Sequence, residues 1–71
     1  MQAFKCIVVD DEKPAQRILE NYLAKIPSIE IFKVCDSAID ALHWLHQEKI
    51  DLIFLDINMP ELSGLDLLRT L

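Results

Sequence analysis

Three aspartates stand where apolar, strand-like runs end. Asp10 and Asp11 follow Cys6-Ile7-Val8-Val9, and Asp56 follows Leu52-Ile53-Phe54-Leu55. In open α/β sheets, ligands bind at the carboxyl ends of strands. If the two runs are neighbours in one sheet, three carboxylates converge on a small patch. Anions so close repel one another, and a hard, oxygen-preferring cation such as Mg²⁺ is the natural counterweight. A lone acid after a strand is ordinarily a solvated turn residue, and two adjacent acids are common by chance. The information lies in both acidic positions falling at the same end of the expected sheet. Glu12 extends the acidic run and reads equally well as part of the site or as a solvated charge.

The elements that must position these acids alternate. Cys6 to Val9 reads as a strand buried on both faces. Pro14 suits a first helical turn, and Ala15, Ile18, Leu19, Tyr22, Leu23 and Ile26 then fall on one helical face, with Pro27 ending the helix. Glu30 to Cys35 reads as a second strand, and Lys33 within it suits a sheet edge. Ser37 and Asp40 form an approximate capping box for a second helix, which carries Ala38, Ala41, Leu42 and Leu45 and runs to about Glu48. Leu52 to Leu55 is a third two-sided strand. A loop from Ile57 to Leu62 follows, Ser63 and Asp66 repeat the capping pattern, and a third helix starts near Leu65. The order β-α-β-α-β-α implies a parallel sheet with right-handed crossovers.

Composition narrows the function classes. Seven basic and twelve acidic residues give a net charge of −5, and no basic run exists to grip nucleic acid or an anionic membrane. Hydrophobic residues make up 52% of the 71-residue chain, which excludes a disordered tail. Cys6 and Cys35 lie inside apolar runs and read as buried free thiols of a reducing compartment. The apolar runs are too short for a signal peptide or a membrane span, so a cytoplasmic location is expected.

The segments VVDDEKPA and DLIFLDINMPELSGLDLL closely resemble the receiver domain of two-component response regulators. The acid pair after the first strand, the strand-terminal aspartate and the Met-Pro-x-x-x-Gly loop all match, and the resemblance covers the whole chain. Its closest flavour is that of regulators with a LytTR-type DNA-binding output domain. The resemblance implies a flavodoxin-like α/β fold with strand order 2-1-3, truncated to its N-terminal half. It implies Asp56 as phosphoacceptor and Asp11 as a direct Mg²⁺ ligand. Asp10 would assist, often through water, and the backbone carbonyl of Asn58 would supply a further ligand. Pro60 and Gly64 would shape the loop, and a sensor histidine kinase would donate the phosphoryl group.

Receivers also use a Ser or Thr after a fourth strand and a Lys after a fifth, and neither falls within these residues. Lys49 precedes the third strand and is expected at the opposite end of the sheet, and Thr70 belongs to the third helix. Residues 1–71 are therefore expected to be a partial receiver, with an unpaired outer edge on the third strand. Such an edge invites a dimer or an intertwined oligomer. His43 and His46 are three apart, a spacing that can bind metal, but no third ligand stands beside them. Trp44 and Met59 read as packing residues. Among rival functions, a haloacid dehalogenase-like phosphohydrolase requires a second aspartate two residues after its nucleophile, where this chain has Asn58. A dinucleotide-binding domain needs a glycine-rich first turn, where this chain has Asp-Asp-Glu-Lys-Pro. A degenerate receiver serving only as an interaction surface is the remaining alternative, although the acids are intact.

Overall fold

A computed structural model describes residues 3–56 and Arg69. The elements run β1 (Phe4–Val9), α1 (Lys13–Leu23), β2 (Ile29–Cys35), α2 (Ala38–Gln47) and β3 (Leu52–Leu55). The three strands form one parallel sheet in the order β2-β1-β3, the architecture expected from the sequence. The loop after Asp56 and the expected third helix lie outside the described residues, apart from Arg69, which is helical and exposed.

The central strand carries the core. Cys6, Ile7, Val8 and Val9 are all buried, as a two-sided parallel strand requires. Because strand side chains alternate, Ile7 and Val9 pack toward α2 with Ala38, Ala41, Trp44 and Leu55, whereas Cys6 and Val8 pack with Leu19, Leu23 and Phe54. Both cysteines are buried and free.

In β2 the pairing slips by one residue: Cys6 pairs with Ile31, but Ile7 pairs with Lys33. The extra residue is a bulge. It lets Phe32 pack on the α2 side while Ile31 and Val34 stay with the other core cluster. Lys33 is left exposed, with its ammonium 4.5 Å from the centre of the Trp44 ring. Asp51 fixes the register at the start of β3: its carboxylate accepts from the Lys5 N–H at 2.8 Å, and its own N–H donates to the Lys5 carbonyl at 2.8 Å.

Helix α2 is capped as expected, with the Ser37 hydroxyl accepting from the Asp40 N–H at 3.1 Å. Helix α1 departs from expectation at its end and on its face. Its last i→i−4 bond runs from Ala24 to Glu20. The chain then tightens to i→i−3 bonds, from Lys25 to Tyr22 and from Ile26 to Leu23, so the helix ends at Leu23, short of Ile26. The sheet-facing stripe is Gln16, Leu19 and Leu23, whereas Ile18 and Tyr22 are 59% and 65% exposed.

Candidate functional site

Register places the acids. Val9 pairs with Leu55, so the next residues, Asp10 and Asp56, emerge side by side at the carboxyl end of the sheet. Their backbones extend the ladder: the Asp56 N–H donates to the Val9 carbonyl and the Asp10 N–H to the Cys35 carbonyl, each at 3.0 Å. The chain then turns into α1. Asp10 Oδ1 accepts from the Glu12 N–H at 2.9 Å, an Asx-type turn that folds the acidic run back on itself.

One carboxylate oxygen from each of Asp10, Asp11, Glu12 and Asp56 lies within 4.8 Å of the other three. Like charges at that spacing repel by roughly 1–3 kcal/mol per pair, depending on how wet the site is. Asp10 and Asp56 are half-buried, and Asp11 and Glu12 are exposed. Val8, Val9, Leu19, Phe54 and Leu55 wall the cleft that contains Asp10, Glu12 and Asp56. An all-oxygen, anionic donor set opening to solvent fits a hard divalent cation that keeps some of its water, as Mg²⁺ does.

Asp10, Asp11 and Asp56, expected together from their places at the strand ends, are gathered in one patch, and Glu12, which the sequence allows equally as a solvated charge, joins them. Asn58, Pro60 and Gly64 lie outside the described residues. His43 and His46 are exposed on α2 and belong to no such cluster among the described residues; the His43 ring meets Trp44 edge-on at 4.9 Å. Lys49 lies beside Phe4, Lys5 and Asp51 at the opposite end of the sheet, where the sequence put it.

Gln16 was missed. It is 4% exposed, and its Nε2 donates to the Asp10 carbonyl at 2.5 Å and to Asp36 Oδ1 at 2.7 Å. The Lys13 ammonium also reaches Asp36 Oδ1, at 2.8 Å. These two bonds, that from Lys13 foremost, hold the Asp36 carboxyl below its usual value. The available signal was positional: Gln16, Leu19 and Leu23 share a helical face. Burial first and then Asp40 push the Cys35 thiol up to about 12, and burial also raises Cys6. Both therefore stay protonated at neutral pH and make poor nucleophiles or metal ligands.

Comparison with known proteins agrees with this geometry. The response regulator receiver domain family matches residues 6–71. An uncharacterised response regulatory protein of Shewanella oneidensis is 44% identical over 66 residues, covering 93% of this chain and 28% of the relative. A counterpart from Vibrio cholerae is 40% identical over 65 residues, covering 92% of this chain and 27% of the relative. The transcriptional regulatory protein BtsR of Escherichia coli K12 is 37% identical over 67 residues, covering 94% of this chain and 28% of that protein. The chain thus spans just over a quarter of the length of the curated relatives it matches. By the match, the strand order and the acids at the strand ends, this chain belongs to the response regulator receiver domain family.

Proposed function

We propose that Asp56 accepts a phosphoryl group from the phosphohistidine of a sensor kinase. The observation that carries this reading is the meeting of four carboxylates, Asp56 among them, at the ends of two adjacent parallel strands. An Asp56 carboxylate oxygen forms the new bond to phosphorus as the phosphorus–nitrogen bond to the kinase histidine breaks. The product is an acyl phosphate on Asp56 and a free imidazole on the kinase.

Asp10, Asp11 and Asp56, with the backbone carbonyl of Asn58, would hold Mg²⁺. The bound ion would offset the repulsion between the carboxylates and the incoming phosphoryl oxygens. The chain's own contribution is positioning: strand register sets Asp56 beside Asp10, and the Asp10–Glu12 turn keeps the acidic run folded toward it. Transfer of this kind depends on placement and charge neutralisation more than on covalent help.

Residues 1–71 would supply the phosphoacceptor half of a cytoplasmic receiver module whose phosphorylation switches an output domain. The relative BtsR is a transcriptional regulatory protein, which supports a DNA-binding output, and the resemblance points to the LytTR type. The site is tested by trapping the acyl phosphate with borohydride after incubation of the full chain with its phosphodonor. Homoserine at position 56 in the peptide map supports Asp56, and reduction at another aspartate excludes it.

A further inference from the structure

Gln16 is the one buried polar side chain among the described residues. A buried amide is tolerated when its hydrogen bonds are made, so its partners say what it is for. Both are acceptors, the main-chain carbonyl of Asp10 and the carboxylate of Asp36, and only the NH₂ end of the amide can face two acceptors. The Asp10 carbonyl lies one residue beyond the last β1–β2 pair, Val9 with Cys35, where the ladder stops providing donors. Gln16 supplies the missing donor from α1. Asp36 follows the last residue of β2, Cys35, and Lys13 bonds to the same carboxylate oxygen that Gln16 reaches.

The acidic turn is thus tied at three points. The Asp10 N–H bonds to Cys35 in β2, its carbonyl bonds to Gln16 in α1, and its side chain bonds to the Glu12 N–H. We infer that Gln16 is a positioning residue for the acidic site. By clamping the Asp10 peptide against the segment after β2, it keeps the carboxylates of Asp10, Asp11 and Glu12 gathered against Asp56. Gln16 touches none of the reacting atoms; it acts through the turn. Partners that orient ligands in this way typically change metal affinity about 10- to 100-fold when removed. The inference rests on the acidic cluster binding a divalent cation, as proposed above.

The test is Mn²⁺ binding to the full chain, followed by the loss of the free-ion electron paramagnetic resonance signal, with circular dichroism confirming the fold of each variant. Gln16→Met keeps the length and removes both donors; it should weaken Mn²⁺ binding about tenfold. Gln16→Arg restores donors that reach two oxygens and should bring affinity back toward that of the wild type, which a general packing role for the amide would not predict. Asp11→Asn is the control for the site itself. If Asp11→Asn weakens binding while Gln16→Met binds as the wild type does, the role of Gln16 is overturned and the metal site stands. If the wild type binds no Mn²⁺, or Asp11→Asn changes nothing, the metal reading falls and takes the inference with it. Should Gln16→Met fail to fold, Asp36→Ala decides the matter. Asp36 is exposed, and losing its anchor should weaken Mn²⁺ binding in the same direction; unchanged affinity would overturn the inference.

Discussion

Asp36 shows how a residue outside the acidic cluster can be tied to it. The bonds from Lys13 and Gln16 favour its charged form and lower its pKa from 3.8. A depressed carboxyl stabilises the fold above its unfolded value and loses that contribution as pH falls through the folded one. The urea midpoint of the wild type should therefore drop more steeply than that of Asp36→Ala on going from pH ~5 to pH ~2; parallel curves would count against the link. Cys35 works in the opposite sense. Its thiol is raised from 9.0 to about 12, so its contribution is intact below the unfolded value and is lost as pH rises from there through the folded one. Neither Cys6 nor Cys35 should react with a maleimide at neutral pH until the chain is unfolded, as read by intact mass, and rapid labelling of the folded protein would contradict their burial. At this scale the aspartates were legible because acids ending apolar runs are conspicuous. Gln16 was legible only through its place on the Leu19–Leu23 face, and a polar residue in an amphipathic helix otherwise reads as solvent-facing until its partners are known.

Between sequence and site stand the elements, and here periodicity was read correctly for α2 and too broadly for α1. Ala38, Ala41, Leu42 and Leu45 all pack toward the sheet, starting from the Ser37 cap. Ser37→Ala should cost about 1 kcal/mol in chemical denaturation, and a change near zero would mean that the cap contributes little. In α1 the residues at 18, 19, 22, 23 and 26 offer two overlapping apolar stripes, and spacing alone does not say which faces the sheet. The structure selects Leu19 and Leu23. Leu23 is 3% exposed, so Leu23→Ala should destabilise by about 2–5 kcal/mol in the same assay; a loss below about 0.5 kcal/mol, the range of surface substitutions, would contradict the packing. The bulge in β2 left no readable trace beyond Lys33 interrupting an apolar run, since its cause is a pairing choice made across strands.

For the molecule as a whole, the strand order 2-1-3 came from resemblance to a family, and the parallel pairing of β1 with β3 is what turns separate acids into a site. Among the described residues β3 pairs on one side only, with β1. An apolar strand with an open edge seeks another strand. A polypeptide consisting of residues 1–71 alone should therefore self-associate in sedimentation velocity at micromolar concentration, whereas a single monomeric boundary would argue that the edge is protected. The central claim concerns Asp56, and it is tested most directly by the intact mass of the full chain before and after acetyl phosphate. Asp56 as the acceptor predicts the gain of one phosphoryl group that requires Mg²⁺ and disappears in Asp56→Asn. No gain in the wild type, or a gain that survives Asp56→Asn, would contradict it.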